Sequence, residues 1–393
     1  MAPSLSNSTP VEFKLVQLTD QDHINFTRCK NGQTWKGDLS VDDYILREHT
    51  LGKSKLINDN LLVYMLQDQN KIPLCSVEIL IRPGWKFEYN NGEADVLEVK
   101  CGTIGSVFTY PENRGKGYSR IMIDKLVRLC KEDIIGQEGF TFLYSEIGEY
   151  YTKHGFKSYP VDTLSIPLKD QDLSPIEASY EFIPYHQFEP LMSKYNEKLK
   201  SEIIEKVKKD HKTRVSIIPD SHIIDWFHLR AKYLSYKLYH EKSKTDRIDF
   251  YNEDYQSIIS KLENEEPNVY GIKMEDDTGF IIWTVDFKDD SNSVTILKCV
   301  SFENDDSVVL KLLHLLKNHI SKRPILGQET TKITLWESEV SLSCIDLIKS
   351  QFVGVSIADN SSRSAIMINN DKQDKLLKND DIIWEENTKL PWF

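Results

Sequence analysis

Apolar and polar residues alternate in VEFKLVQL (11–18), which predicts a strand, and the acidic TDQDH behind it predicts a capped helix start. SVDDYILREHTL offers a second helix start, and the β-rich runs LLVYMLQ and LCSVEILI are separated by the turn-like DQNKI. VLEVKCGTIGSVFTY (96–110) reads as one long extended segment. It runs into YPENRGKGYSRIMIDKL (110–126), a glycine- and arginine-rich turn that opens a helix. That helix carries an apolar stripe of Tyr118, Ile121, Met122, Leu126, Leu129 and Cys130. FTFLY (140–144) predicts a short buried strand, and SEIGEYYTKHGF a helix closed by Gly155.

From 160 to 212 the periodicity fades. Pro160, Pro167, Pro175, Pro184 and Pro190 punctuate it, and the charged KYNEKLKSEIIEKVKKDHK predicts a solvated helix. Beyond that point the order of elements repeats. RVSIIPDSHIIDWFHL (214–229) matches KLVQLTDQDHINFTRC (14–29) in outline, and VYGIKM, FIIWTVDF and SVTILKCVSF follow as strands. A helix (SVVLKLLHLLKNHI), a strand (ITLWES), a helix (SLSCIDLIKSQF) and a last strand (SRSAIMI) complete it. The expectation is an α/β protein of two lobes, each a mixed central sheet flanked by helices. They occupy 1–175 and 213–393 and are joined by a charged helix within 176–212. Where the first copy has Arg114-Gly-Lys-Gly at its helix start, the second has Asp305 and Asp306. Acids cap a helix N-terminus but repel a phosphate, so the second lobe reads as degenerate.

Composition narrows the class. At 393 residues, 40% of them apolar and 28% charged, the chain is long enough for two cores. A net charge of −12 argues against general binding to nucleic acid or an anionic membrane. No apolar run is long enough to span a bilayer, and MAPSLSNSTPVEFK lacks the pattern of a secretory signal, so a cytoplasmic protein is expected. Six scattered cysteines with no CxxC pair fit reduced thiols rather than a disulfide frame, and no metal site is expected.

The turn carries the chemistry. A helix N-terminus offers free N–H groups and the positive end of a dipole. Gly115 and Gly117 let the backbone approach a ligand, while Arg114, Lys116 and Arg120 add charge suited to a pyrophosphate. This is neither the GxxxxGK[ST] nor the GxGxxG pattern.

In its surroundings the turn resembles the Gcn5-related N-acetyltransferase superfamily. Arg114-Gly-Lys-Gly117-Tyr-Ser119 matches the superfamily's Gln/Arg-x-x-Gly-x-Gly/Ala, with Ser119 departing at the last place, and Tyr151-x-x-x-Gly155-Phe156 matches its second motif. IGSVFTYPENRGKGYSR, SEIGEYYTKHGFK and the terminal KLPWF resemble the fungal lysine N-acetyltransferase family. The resemblance implies acetyl-CoA as co-substrate and a small amine as acceptor, the N6-amine of free L-lysine in lysine catabolism. Attack on the thioester would be direct, in a ternary complex. It implies that Phe108 and Thr109 pair with the pantetheine arm between splayed strands. Arg114, Gly115, Lys116, Gly117, Tyr118 and Ser119 would cradle the pyrophosphate, and Tyr151 would protonate the leaving thiolate.

For the base, Glu78, Glu98, Glu146 and Glu149 are candidates, with Glu146 first on position. The aromatic end after Pro391 suggests docking, either to bring the Phe393 carboxylate to the acceptor amine or to seal the two lobes together. Trp336, Glu337 and Glu339 are candidate acceptor contacts. Two other readings stay open, a protein or peptide amine acetyltransferase and a non-catalytic acyl-CoA-binding protein; the oligomeric state is also open.

Overall fold

The computed structural model describes residues 12–168, 177–287, 292–322, 325 and 330–393. Strand β1 (Lys14–Leu18) leads to helix α1 (Gln21–Trp35), whose N-cap Asp20 accepts from the His23 N–H. Helix α2 (Val41–Leu51) is capped by Ser40 in the same way. Strands β2 (Leu61–Gln67), β3 (Pro73–Asn90) and β4 (Glu93–Thr109) form an antiparallel meander. The long β3–β4 hairpin reverses at Asn91 and Gly92, both at positive φ (50° and 92°). Helix α3 (Tyr118–Leu129) returns the chain to β5 (Phe140–Ser145), which lies parallel to β4. The helix expected after β5 is reduced to a 3₁₀ turn at Tyr150–His154, because Gly148 (φ 65°) and Gly155 (φ 96°) take the backbone out of the α region on either side.

After β6 (Lys157–Tyr159), β7 (Thr163–Pro167) and β8 (Tyr180–Pro184) comes the charged helix α4 (Glu189–Asp210). It is more than a solvated strut: Met192, Tyr195, Leu199, Ile203 and Val207 recur at helical spacing and are buried against the β3–β4 arm. Strand β9 (Thr213–Ile217) precedes α5 (Ser221–Ser235), which is buried almost all round, and α6 (Tyr255–Leu262). Then come β10 (Val269–Met274), β11 (Gly279–Asp286), β12 (Asn292–Ser301), α7 (Asp306–Lys322), β13 (Thr330–Trp336) and α8 (Leu342–Gln351). The chain finishes with β14 (Ser356–Ala358), β15 (Arg363–Ile368), α9 (Asp371–Lys378), β16 (Ile382–Trp384) and a tail to Phe393.

Two mixed sheets result. The first runs β1-β2-β3-β4-β5-β15-β6, with β9 added to the outer half of β3 and β16 to β9; the second runs β14-β7-β13-β12-β11-β10-β8. The repeat is visible in their parallel pairs: Cys101 faces Phe140 in one and Val294 faces Ile333 in the other, the same offset along the chain. The sheets do not respect the division expected near 175, however. β7 belongs to the second sheet, while β9, β15 and β16 belong to the first. The exchange has a local cause: apolar Ala365–Ile368 fills the slot between β5 and β6, whose ladder groups would otherwise lack partners. One core cluster accordingly spans both lobes, from Leu39 and Phe87 to Trp283 and Leu335.

Candidate active site

The ladder between β4 and β5 runs from Cys101/Phe140 to Ile104/Leu143 and goes no further. Beside that end β4 carries a bulge: Glu78 pairs with Gly105 and Ser76 with Phe108, leaving two residues opposite one, with Ser106 at φ 50°. The strands part there, and a cavity of about 330 Å³ opens between them. Gly105, Ser106 and Val107 form one side; Ser145, Glu146 and Tyr151 form the other. Its far wall comes from α1–α2 (Trp35, Arg47, Glu48), from α5 (Trp226, Arg230), and from Trp392 and Phe393 of the tail.

The turn lies just beyond the open end of β4. Gly115 (φ 76°) and Gly117 (φ 80°) are both left-handed, a conformation that disfavours a side chain, and a Cβ on either would meet nothing within 4 Å. Gly117 is the N-cap of α3 and brings no side-chain cap, so no capping side chain takes up the first-turn N–H groups. Arg114 donates from Nε to the Thr109 carbonyl (3.2 Å) with its guanidinium over the Phe108 ring, and Lys116 reaches the Glu112 carbonyl (3.1 Å). The Ser119 hydroxyl meets the Tyr150 hydroxyl at 2.8 Å. Tyr118 packs its ring on Phe13, and the Phe108 side chain is buried against Trp35, so Phe108 has only its backbone to give a ligand. An uncapped helix end for a diphosphate, followed by a strand edge without a β5 partner for an amide-bearing arm, fits acetyl-CoA.

Of the four glutamates, two reach the cavity. Glu78 is buried, accepts from the Ser106 hydroxyl (2.8 Å), and burial pushes its carboxyl up against the pull of Arg28. Glu146 sits exposed at the mouth. Glu98 is on the outer arm of β4 opposite Trp85, and Glu149 is tied to Arg363 (2.8 Å). Tyr151 is buried in the wall, ring to edge with Tyr150, and burial raises its phenol well above the usual range, so it is a neutral donor. Phe393 seats its ring on Gly105, where a Cβ would come within 3.0 Å of it. Trp336, Glu337 and Glu339 stay outside: Glu339 is consumed by Lys298 (3.1 Å) and the Cys299 N–H, and Glu337 accepts from the Asp162 N–H.

Sequence reasoning missed the cavity's own cations. Arg47 donates to Glu48 through Nε and Nη2 (2.8 and 2.6 Å). Burial pushes the Glu48 carboxyl up, but Arg47, Arg28 and Arg230 outweigh it and hold the group low. The one available signal was an arginine in WFHLR, a stretch otherwise apolar enough to be buried.

A mixed sheet of this order, its central parallel pair splayed beyond a bulge onto an uncapped glycine turn, defines the Gcn5-related N-acetyltransferase (GNAT) fold. Solved structures of that fold cover the chain. A conserved protein from Enterococcus faecalis described as a probable N-acyltransferase superposes with TM-score 0.53 at 12% identity, over 92% of this chain and 73% of that one. A GCN5-related N-acetyltransferase from Anabaena variabilis gives 0.52 at 16%, over 91% and 73%. The family described as the LYC1 GNAT-like C-terminal domain matches residues 163–393, and the chain belongs to it. That match opens at β7, where the second sheet begins. A lysine acetyltransferase of Yarrowia lipolytica is 30% identical over 159 residues, 36% of this chain and 40% of that protein. A Saccharomyces cerevisiae protein described as uncharacterized protein YGR111W is 23% identical over 95% of this chain and 96% of its own length. The protein is an acetyltransferase of the GNAT type, with acetyl-CoA the co-substrate that this fold implies.

Proposed function

We propose that this protein transfers the acetyl group of acetyl-CoA to the amine of a small substrate, the N6-amine of free L-lysine being the favoured acceptor. The observation that carries the reading is the confinement of the cavity: α5 and the tail line its acceptor end with Trp226, Trp392 and Phe393. A free amino acid fits such a chamber, whereas a protein substrate needs an open groove. The name of the Yarrowia relative supports lysine.

In this scheme the first-turn amides of α3 and residues 114–119 hold the diphosphate, and the backbone of Phe108 and Thr109 pairs with the pantetheine arm. A carboxylate takes one proton from the incoming ammonium; Glu146 at the mouth and Glu78 inside are the two placed to do so. The amine lone pair attacks the thioester carbon, the C–S bond breaks as the Tyr151 phenol protonates the departing thiolate, and the second amine proton, shed from the new amide nitrogen, restores the phenol. Phe393 is assigned the acceptor end, over Gly105. The catalytic lobe is the N-terminal part, the second lobe is its degenerate copy, and the location is cytoplasmic. Among the described residues no helix is long and apolar enough to cross a membrane.

The test is release of free CoA thiol from acetyl-CoA by the purified protein, with free amino acids, polyamines and lysine-containing peptides as acceptors. Preferred turnover of free lysine is expected. Turnover of peptides alone would select the protein-acetylating alternative, and binding of acetyl-CoA without turnover of any amine would select the non-catalytic one.

A further inference from the structure

Tyr151 stands in a turn too short to hold it in place by itself. The 3₁₀ stretch Tyr150–His154 lies between left-handed Gly148 and Gly155, and its backbone bonds stay local: the Thr152 N–H donates to the Glu149 carbonyl (3.0 Å) and the Gly155 N–H to the Thr152 carbonyl (3.2 Å). Tyr151 makes no hydrogen bond of its own among the described residues. Its aim is set by the rings of Tyr150, His154 and Phe156, whose centroids lie 5.2, 6.4 and 6.2 Å away. Among the described residues, the side-chain hydrogen bonds that leave the turn both run to α3. At one end the Tyr150 hydroxyl meets the Ser119 hydroxyl at 2.8 Å. At the other, His154 Nδ1 lies 2.7 Å from the Asp124 carboxylate, and since a carboxylate only accepts, the ring nitrogen is the donor. The His154 side chain is fully buried and its Nε2 has no partner among the described residues, so Asp124 supplies the ring's one hydrogen bond.

We propose that Asp124–His154 and Ser119–Tyr150 are positioning pairs. They fasten the Tyr151 turn to the helix whose N-terminus receives the diphosphate, so that one element places both the cofactor and the phenol that protonates its sulfur. This rests on the reading of Tyr151 as proton donor and adds the groups that aim it. The need follows from the fold. The β4–β5 ladder ends at Ile104/Leu143, so Tyr151 stands beyond the last pair, where no strand bond fixes its distance from the pantetheine arm. Proton transfer requires hydrogen-bond reach, and a misplacement of about 1 Å can cost on the order of a hundredfold in rate. Two ties to α3 supply that precision. Neither His154 nor Asp124 lines the cavity, so whatever they contribute to the reaction passes through Tyr151.

The experiment measures kcat, amine KM and acetyl-CoA affinity on the full chain, with the fastest acceptor of the amino acid, polyamine and peptide panel above. The variants are His154→Phe, His154→Asn, Asp124→Ala and Tyr150→Phe, each alone and combined with Tyr151→Phe. His154→Phe and Asp124→Ala should each lower kcat by on the order of tenfold, with amine KM and acetyl-CoA affinity within about twofold of wild type. His154→Asn, whose amide nitrogen stands where Nδ1 does, should keep most of the wild-type rate. In the Tyr151→Phe background the same substitutions should add less than about a twofold loss, because groups that act through one residue stop being additive once it is gone. Tyr150→Phe removes a hydroxyl and almost no volume, so it decides the matter if the His154 variants fail to fold. Losses that multiply in the double variants, or a kcat within about threefold of wild type when either pair is broken, overturn the inference and leave Tyr151 as donor. Equal losses in His154→Asn and His154→Phe overturn it too. A wild-type kcat in Tyr151→Phe, or transfer to no acceptor at all, overturns both readings.

Discussion

Lys298 is fully buried on β12 between two acids and a phenol: Glu339 at 3.1 Å, Glu386 of the tail, and the Tyr195 hydroxyl at 3.1 Å. One cation therefore serves two carboxyls. Burial outweighs the pull of Lys298 at Glu339 and holds that carboxyl up, at about 7; at Lys298 the two acids outweigh burial and hold the ammonium well above its usual range. Lys298→Met strands a buried carboxylate at neutral pH, and losing one partner of such a group costs about 3–5 kcal/mol. The pH dependence has a definite sign. The stabilisation from Lys298 is complete below its unfolded value and is lost only as pH rises through its higher folded one, so the wild type keeps it across the neutral range. In the variant the Glu339 carboxyl, raised by burial and now without its cation, stays above its unfolded value, so the folded form binds a proton more readily and gains stability as pH falls. Equilibrium urea unfolding followed by tryptophan fluorescence, at about pH 8 and about pH 5.5, should show the deficit narrowing by more than about 1 kcal/mol at the acid end. Adding Glu386→Gln to Lys298→Met should recover part of it. A deficit below about 1 kcal/mol at both values, or one that acid leaves unchanged, would refute the account of a shared cation.

Tyr151→Phe should lower kcat by roughly a hundredfold or more while acetyl-CoA affinity, measured by calorimetry, is kept, because the substitution removes only the proposed proton donor. Gly117→Ala forces a Cβ into a left-handed residue at about 1–2 kcal/mol, so acetyl-CoA should bind on the order of tenfold more weakly with little change in kcat. The acid limb of kcat/KM should lie above the ordinary glutamate range, since the base must be ionised and burial raises Glu78; Glu78→Gln should abolish that limb, and an unchanged pH profile would hand the role to Glu146. Gly105→Ala sets a methyl within 3.0 Å of the Phe393 ring and should cost about 1–3 kcal/mol of tail docking, read as amine KM rising while acetyl-CoA affinity holds.

How far the sequence reaches can be judged at particular elements. Asp20, Ser40 and Asp220 announce their helices because a cap is a local device, one side chain on an N–H a few residues on. Gly115, Gly117 and Gly155 announce their turns for a similar reason, since positive φ is a property of single residues. The extension of β3 beyond Pro83 was not visible, because proline and glycine both disfavour a strand interior. In the fold Gly84 is where the β9 backbone docks, its Cβ position lying 3.0 Å from the Ser216 carbonyl oxygen. β7 and β8, short strands in a proline-dotted stretch, were missed because their support is tertiary. The membership of β9 and β15 in the first sheet was equally hidden, because nothing local distinguishes a strand that stays in its lobe from one that crosses. The acceptor wall, Phe393 apart, was hidden for the same reason. Arg47, Trp226, Arg230 and Phe393 come from three separate parts of the chain and meet only because α5 is sandwiched between the lobes.

The two lobes use one geometrical device in opposite ways. In the second sheet β12 and β13 pair in parallel only as far as Thr295/Thr334 before they part, as β4 and β5 do after Ile104/Leu143. The first opening is kept clear by a bulge and a glycine turn. Beside the second lie Lys298 and Glu339, with Glu386 brought in from the tail and the Ser338 hydroxyl donating to the Asn387 carbonyl at 2.6 Å. Its helix start, meanwhile, is occupied by Asp305 and Asp306, which accept from Ser307, Ser341 and Ser343 where a phosphate would otherwise be welcome. Filling this cleft does more than silence it. The segment gripped there runs on within a few residues to Trp392 and Phe393 in the wall of the first cavity. The degenerate copy thus works as a clamp: losing the grip at Lys298 would be felt at Gly105, although the two positions lie in different sheets.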